Sequence, residues 1–204
     1  MRPTPAAPRT LFEAARSGDR AALETLLESY RNLLLLLADT SIPDALRGKV
    51  DASDLVQETL LKAHQRFAQF RGASEAEWVG WLKRILARNL VDLYRRYTDN
   101  EGRAVGRERS FERSLDRSSE ALCQLVPANG TSPSGRATRR EREVALADGL
   151  ARLRPRDREV VVLRSLRELS WTAVAGLTGD TPDAARVRWA RALRQLGRLL
   201  ADGP

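Results

Sequence analysis

Two stretches of the chain concentrate basic side chains at spacings that suit binding to a polyanion. Lys83–Arg96 holds five basic residues against the single acid Asp92, and Pro182–Leu200 holds five arginines against Asp183. Guanidinium groups bind phosphates and, through paired N–H donors, the edge of guanine. Both stretches have helical periodicity, so we predict two separate basic helices whose arginines face nucleic acid.

The rest of the chain offers little for catalysis or for binding a metal. It contains one histidine and one cysteine, Cys123. These are too few for a zinc cluster, and the sequence has neither a Ser/His/Asp arrangement beyond chance nor a glycine-rich phosphate loop. We therefore expect a protein that is not an enzyme and that uses no cofactor and no metal.

Composition predicts a soluble protein of the reducing cytoplasm. The 204 residues carry a net charge of +8, 42% are hydrophobic, and a single cysteine excludes an internal disulfide. The most apolar stretch, Leu33–Ala38, is far shorter than the roughly 20 residues that cross a bilayer. We expect no membrane contact and no secretory signal.

The hydrophobic pattern predicts an all-α protein with two small helical domains. No segment alternates with a period of two for long enough to form a strand. Four helices account for a first domain over 9–98, and helices that include a helix-turn-helix account for a second over 141–201. Between them, 99–140 is rich in Arg, Ser and Glu and has the composition of a flexible linker.

Capping residues predict where several helices begin. Thr10–Glu13 and Ser74–Glu77 have the spacing of capping boxes, and Asp19 is expected to cap one long helix that runs through Leu37. Within the linker, four apolar residues are consistent with a short helix or with anchors that dock on a partner: Phe111, Leu115, Leu122 and Val126. The sequence leaves that choice open.

The end of the chain has the layout of a helix-turn-helix. Ser170 is placed to cap a short helix, Gly179 to form the turn, and Thr181-Pro182 to start a final helix. An α-hairpin with a solvated basic face has the same layout. The arginines favour DNA binding because they crowd the first half of the last helix, while Trp189 shares the phase of its apolar residues.

Both halves of the chain resemble the sigma-70 family of bacterial RNA polymerase sigma factors. Asp51-Ala-Ser-Asp-Leu-Val-Gln-Glu-Thr59, Phe70-Arg-Gly72 and Trp81-Leu-Lys-Arg-Ile-Leu-Ala-Arg-Asn-Leu-Val-Asp92 are similar to region 2. Arg154–Arg164, Leu169–Ala175 and Arg186–Leu193 are similar to region 4. Two such regions, with nothing recognisable before or between them, resemble the extracytoplasmic-function (ECF) group.

The resemblance implies a binding surface for RNA polymerase on the acidic helix of region 2. In the family this helix docks on the clamp helices of the β′ subunit, and region 4 meets the β flap. Carried over to this chain, the polymerase-binding residues are Asp51, Asp54, Leu55, Gln57 and Glu58. The acids recur at helical spacing, which suits a basic partner.

The resemblance also implies that region 2 binds the −10 promoter element as its strands open. The matching residues are Phe70, Arg71, Ser74, Arg84, Arg88, Asn89, Asp92, Arg95 and Arg96. Phe70, Arg71 and Ser74 are expected to line a pocket for an unstacked base. From Trp81 to Asn89 the chain is one residue longer than the family pattern, which leaves open which of Arg88, Asn89 and Asp92 meets DNA.

For the −35 element the resemblance points to the helix-turn-helix. The matching residues are Thr181, Arg186, Arg188 and Arg191. Asp180 stands in the turn where the family often has an apolar residue, so we expect that turn to be less well packed.

These features predict a sigma factor that binds core RNA polymerase and directs it to promoter DNA. An anti-sigma factor is a further possible partner. The alternative is a helix-turn-helix regulator that binds DNA by itself as a dimer, with the first domain used for sensing or dimerisation. Binding of core polymerase distinguishes the two hypotheses.

Overall fold

The computed structural model describes residues 8–98, 104–126 and 137–201. Within these ranges the regular structure is helical and no strand is formed, which confirms the all-α prediction. The described helices include none that is both long enough and apolar enough to span a membrane. The predicted linker residues 99–103 and 127–136 lie outside the described part of the chain.

The chain divides into two compact units, Met1–Arg113 and Ser114–Pro204. Five helices build the first unit: α1 (Pro8–Arg16), α2 (Arg20–Ser29), α3 (Arg31–Ser41), α4 (Ala52–Arg66) and α5 (Glu75–Thr98). The division falls inside a further helix, α6 (Ala104–Gln124), which occupies half of the predicted linker. The sequence had left this segment open between a helix and docking anchors, and its backbone is helical.

The long helix predicted from Asp19 is interrupted at Tyr30. Asp19 does cap α2, since its carboxylate accepts the Ala22 amide at 3.0 Å. Tyr30 has φ −100° and ψ −1°, ends α2 and precedes α3. Its side chain is 1% exposed and its hydroxyl donates to Glu75 Oε1 at 2.8 Å. The break thus coincides with a residue that is fixed by a tertiary contact, which helical periodicity alone does not reveal.

The two predicted capping boxes have opposite outcomes. Ser74 Oγ accepts the Glu77 amide at 3.2 Å and Glu77 Oε2 accepts the Ser74 amide at 3.0 Å, so the box at the start of α5 is confirmed. The box at Thr10 is wrong because α1 already begins at Pro8. Proline has no amide hydrogen and a fixed φ, which suits the first turn of a helix.

An aromatic cluster fills the core of the first unit beside the start of α5. Trp78 is 1% exposed, and its ring lies 5.3 Å from Phe70, 5.7 Å from Phe67 and 5.2 Å from Trp81. Phe12 of α1 adds an edge contact to Trp78 at 5.9 Å. The cluster therefore joins α1, the end of α4 and α5.

The second unit contains α7 (Ala137–Ala151), α8 (Pro155–Val161), α9 (Trp171–Thr178) and α10 (Pro182–Ala201). A π-helical segment, Val162–Leu166, extends α8. The small core at the helix-turn-helix consists of Val160, Leu163, Val174 and Ala185, against which Leu169, Trp171 and Trp189 pack. Trp189 donates to Ser165 Oγ at 2.9 Å, so this ring has the core role predicted for it.

Candidate nucleic-acid and partner-binding surfaces

The exposed side of α4 carries an acidic face, which we define as Asp54, Gln57 and Glu58. Asp54 and Gln57 are exposed, and Glu58 is half-exposed with its Oε1 2.8 Å from Lys62 Nζ. Leu61, one turn further along the same side, is 58% exposed. Leu61 therefore extends the acidic face with an apolar contact area, which the polymerase-binding residues predicted from the sequence do not include.

Two of the predicted polymerase-binding residues have structural roles. Asp51 is the N-cap of α4, and its carboxylate accepts the Ser53 amide at 2.7 Å while the residue stays exposed. Leu55 is 3% exposed and lies in the core. Its prediction as a surface contact is therefore corrected, because it follows Asp54 by about 100° around the helix and faces inward.

The outer side of α5 carries a basic face, which we define as Arg84, Arg88, Arg95 and Arg96. All four side chains are exposed, and Arg84, Arg88 and Arg95 share one side of the helix as their spacing predicts. Asp92 is half-exposed beside this face, 4.0 Å from Arg95 Nη1 and 4.0 Å from Lys62 Nζ. The basic face can therefore bind phosphates, with Asp92 at its edge.

Asn89 is excluded from this surface. It is 2% exposed, its Nδ2 donates to Thr59 Oγ1 at 2.9 Å, and its Oδ1 accepts from Lys62 Nζ at 2.6 Å. The side chain thus joins α5 to α4 inside the unit, so its prediction as a DNA contact is corrected. Of the three residues between which the sequence could not choose, Arg88 is exposed, Asp92 is half-exposed and Asn89 is internal.

Glu108 of α6 already forms an ion pair with Arg88. Glu108 Oε1 lies 2.9 Å from Arg88 Nε, and the Arg107 guanidinium stacks 4.6 Å from the Tyr94 ring centroid. Both contacts lie within the first unit. A phosphate that binds Arg88 therefore competes with Glu108.

The Phe70-Arg71-Gly72 loop differs from the predicted pocket. Phe70 is 9% exposed and belongs to the aromatic cluster, so its prediction as part of an open base pocket is corrected. Its ring lies so close to Gly72 that a Cβ at that position would overlap it. Arg71 is exposed, whereas Ser74 is engaged in the capping box. Hydrogen bonds from the Ser74 hydroxyl and the Ala73 and Ser74 amides hold the pKa of the Glu77 carboxyl below its ordinary value.

In the second unit, capping residues set the geometry of the helix-turn-helix. Ser170 Oγ accepts the Ala173 amide at 3.2 Å and caps α9, while Gly179 ends that helix with φ +70°. Thr181 Oγ1 accepts the Ala184 amide at 3.2 Å and caps α10. Residues 181–184 at the start of α10 are exposed, which suits entry into a major groove.

Arg188 is held by two carboxylates instead of facing outward. Its Nε lies 3.1 Å from Asp180 Oδ2, its Nη2 lies 3.2 Å from Asp180 Oδ1, and its Nη1 lies 3.6 Å from Asp157 Oδ1. The side chain of Asp157 is 3% exposed and that of Arg188 is 27% exposed. We call this arrangement the Arg188 clamp.

The clamp bears on two predictions from the sequence. The guanidinium of Arg188 is shared between α8 and the turn, so its contact with a base stays a prediction that requires these ion pairs to open. The turn at Asp180 is held by a bidentate ion pair where looser packing was expected. The hydrogen bonds and charge of Arg188 lower the pKa of the Asp180 carboxyl, and the two acids raise the pKa of Arg188.

The exposed side of α10 contains Arg186, Val187 and Arg191. The side chain of Arg186 is 57% exposed, lies 3.1 Å from Asp183 and stacks over Trp171 at 5.7 Å. Val187 is 57% exposed and was not among the DNA contacts predicted from the sequence. The helical phase could have indicated this exposure. Ala185, Ala192 and Leu196 face the core, and position 187 lies on the opposite side of the helix.

Across the described ranges, no three His, Cys, Asp or Glu side chains come together as metal ligands. The candidate chemistry on these surfaces is recognition through charge, hydrogen bonds and apolar contact.

Comparisons with known proteins cover the residues that carry these surfaces. The model of sigma-70 region 2 matches residues 26–99, which include the acidic face of α4 and the basic face of α5. The ECF RNA polymerase sigma factor BldN of Streptomyces coelicolor is 30% identical over 194 residues, which are 94% of this chain and 65% of that protein. The chain thus spans slightly less than two thirds of the length of that relative.

A second curated relative covers both units as well. The ECF RNA polymerase sigma factor SigD of Mycobacterium tuberculosis is 26% identical over 182 residues, which are 89% of this chain and 78% of that protein. A solved structure of CnrH in complex with the cytosolic domain of CnrY aligns with 98% of this chain and 100% of that chain at 22% identity. Its TM-score of 0.32 is too low to indicate a shared fold.

Proposed function

We infer that the chain belongs to the ECF group of the sigma-70 family, and we propose that it binds core RNA polymerase and directs it to start transcription at particular promoters. The observation that carries this proposal is the alignment with an ECF sigma factor over 94% of the chain, including both units. We assign it no catalytic step of its own and expect it to act in the cytoplasm. An anti-sigma factor that hides these surfaces is a further expected partner.

The acidic face of α4 is the proposed contact with the β′ clamp helices. Asp54 and Gln57 are exposed and have no ion pair among the described residues, so they can bind a basic partner without breaking an internal contact. Glu58 must share its carboxylate with Lys62. Asp51 acts at the end of this face, and Leu61 adds apolar area beside it.

The basic face of α5 and the exposed Arg71 are the proposed contacts with the −10 element. Arginines along one side of a helix follow a phosphate backbone, and single-stranded DNA adds stacking of its bases on aromatic rings. Asp92 lies at the edge of the face, while Phe70, Ser74 and Asn89 support it from behind. We expect Glu108 to leave Arg88 when DNA binds.

The −35 element is assigned to α10, with Arg186 and Arg191 as the polar contacts and Thr181 at the helix start. Arg188 positions α10 through its clamp. Residues 9–98 and 141–201 remain the proposed region-2 and region-4 domains, and 99–140 the proposed linker between them. Contact of the second domain with the β flap is part of the same proposal.

We predict that Val187 reads the methyl group of a thymine in the −35 element. An exposed valine on the outer side of a recognition helix has no polar group to offer, and the thymine methyl is the apolar feature of the major groove. Val187→Ala should weaken binding by about 1 kcal/mol, roughly five-fold, on promoters that have this thymine. Replacing the thymine by deoxyuridine should cost the original protein the same amount and the variant nothing.

The proposal as a whole is tested by affinity for core polymerase. A sigma factor co-purifies with core RNA polymerase in a one-to-one complex and binds promoter DNA as part of it. A helix-turn-helix regulator forms a dimer on duplex DNA and ignores polymerase, and that result would replace the proposed function.

A further inference from the structure

Four charged side chains of alternating sign connect the acidic face of α4 with the basic face of α5. Glu58 Oε1 lies 2.8 Å from Lys62 Nζ, and the same ammonium lies 4.0 Å from Asp92 Oδ2. The other carboxylate oxygen of Asp92, Oδ1, lies 4.0 Å from Arg95 Nη1. We call these four residues the charge network. It begins at a residue that we assign to polymerase and ends at one that we assign to DNA.

Lys62 is the member of the charge network that lies between the two helices. Its ammonium donates to Asn89 Oδ1 at 2.6 Å, and its side chain is only 28% exposed. Asn89 is buried and donates to Thr59 Oγ1 at 2.9 Å, so the ammonium is attached to the contact between α4 and α5. Because partial burial reduces the screening of its charge by water and salt, Lys62 attracts nearby carboxylates more strongly than a fully exposed lysine does.

Glu58 and Asp92 compete for this single ammonium. The contact with Glu58 has the length of a hydrogen bond, whereas Asp92 lies at the outer limit of an ion pair. A lysine ammonium has three donors at the end of a flexible stem, so it can move between acceptors while it keeps its bond to Asn89. When Glu58 is taken by another cation or loses its charge, Asp92 becomes the main carboxylate partner of Lys62.

The competition at Lys62 affects Arg95 through Asp92. An Asp92 carboxylate that is paired with Lys62 attracts the Arg95 guanidinium less, and it also repels a phosphate at the basic face less. Arg95 is half a turn or more away from Lys62 on a different helix, so Asp92 is the group through which the two cations are connected. The state of Glu58 is thus linked to the readiness of Arg95 to bind a phosphate.

We propose that Lys62 is a positioning residue that couples the two faces, so that engagement of Glu58 strengthens the binding of phosphate at the basic face. A basic partner on Glu58 releases Lys62 to Asp92, and Arg95 then pairs with the phosphate. Thermodynamic linkage makes the coupling reciprocal, since DNA on Arg95 favours the partner on Glu58 by the same factor. The identities of the two partners rest on the proposed function, but the coupling itself is a property of the isolated chain.

The test measures the affinity of the full chain for single-stranded DNA without polymerase. The probe is a fluorescein-labelled oligothymidylate of about 12 nucleotides, which reports phosphate contacts without a promoter sequence. Glu58→Gln imitates the engaged carboxylate, because a neutral amide holds the ammonium more weakly than a carboxylate does. It should raise the affinity about two- to three-fold at low salt, the size expected from one partly exposed ion pair. The magnitude of the slope of log K against log salt should rise by up to about 0.7, the value for one further phosphate contact.

Lys62→Met provides the control background, since methionine keeps an unbranched apolar stem and removes the ammonium. The change in net charge caused by Glu58→Gln is the same in both backgrounds, whereas the coupled part of its effect requires Lys62. Glu58→Gln should therefore change the affinity less in Lys62→Met than in the original protein, and Lys62→Arg should restore the larger change. Equal effects of Glu58→Gln in the two backgrounds, or no effect in either, overturn the proposal.

Asp92→Asn is a second background that keeps the bonds of Lys62 to Glu58 and Asn89. The effect of Glu58→Gln should shrink there as well, so the proposal stays testable if Lys62→Met does not fold. Thermal unfolding of each variant checks its folding. Glu24→Gln, which removes an exposed glutamate of α2 outside the charge network, measures the effect of net charge alone.

These measurements separate the inference from the proposed function because they use no polymerase. Equal effects of Glu58→Gln in all backgrounds reject the coupling, even if the original protein binds core RNA polymerase. The coupling is also rejected if the original protein does not bind the oligothymidylate, since the basic face then binds no phosphate. Failure of the original protein to bind core polymerase rejects the proposed function, whatever the variants show.

Discussion

Asp54→Arg combined with Glu58→Arg should abolish binding of core RNA polymerase while leaving the helices folded. Both carboxylates are on the exposed side of α4, and reversing them places like charges against a basic partner. Juxtaposed like charges cost several kcal/mol, so we expect the affinity to fall by about 100-fold or more. A pull-down with purified core polymerase, supported by titration of a fluorescently labelled chain, measures the loss.

Glu24→Arg combined with Glu28→Arg is the matched control for this experiment. These glutamates have the same spacing, are exposed on α2 and give the same change in net charge. The control variant should bind polymerase normally. Equal affinity of both double variants would show that the acidic face of α4 is not the contact surface.

Arg188→Ala should destabilise the second unit and weaken upstream promoter recognition as a consequence. The change removes the cation shared by Asp157 and Asp180 and leaves the buried Asp157 with the exposed Arg154. Breaking a buried pair costs about 3–5 kcal/mol, and the partial exposure of this one places our expectation near 2 kcal/mol. Thermal unfolding of the full chain should show a lower midpoint for one of its transitions.

Arg186→Ala separates stability from recognition. Arg186 is exposed and its ion pair with Asp183 is on the surface, so its removal should leave the midpoint nearly unchanged. It should still weaken binding to the −35 element by about 1–3 kcal/mol if it contacts a base edge. If Arg188→Ala leaves the midpoint of thermal unfolding unchanged but abolishes DNA binding, then Arg188 contacts the −35 element directly.

We expect the ion pair between Arg188 and Asp180 to break at acidic pH. The pKa of Asp180 is lowered in the folded protein, chiefly by the hydrogen bond from Arg188, so the unfolded chain binds this proton more readily. The resulting stability is fully present above the ordinary aspartate pKa and is lost as the pH falls through the lowered one. In Arg188→Ala, the loss of stability at acidic pH that comes from Asp180 should disappear, which thermal unfolding at a series of pH values measures.

The parts of the fold that the sequence predicted correctly depend on local interactions. The Ser74 capping box, the Asp19 cap and the exposure of the arginines on α5 follow from spacing within one helix. The break at Tyr30 does not, because it is coupled to a hydrogen bond with Glu75, 45 residues away. Helical periodicity carries no information about a hydrogen-bond partner that is so distant in the sequence.

The errors at the candidate sites have the same origin. Arg188 has the spacing of a DNA contact, but carboxylates from α8 and the turn bind it first. Asn89 matches a family motif, and Thr59 and Lys62 of α4 take up its amide. Val187 has no charge and no hydrogen-bonding group, so its residue type does not indicate a DNA contact. A polar residue in a motif is thus assigned to a surface only after its partners in the fold are known.

Transcription in vitro with purified core RNA polymerase tests the central claim most directly. With a library of duplex templates, the chain should produce transcripts that start at defined positions and that neither core polymerase nor the chain makes alone. The selected templates should share an upstream element and a −10 element. If the chain instead adds no transcripts and binds its selected duplex tightly as a dimer without polymerase, it is an autonomous regulator and does not direct polymerase to promoters.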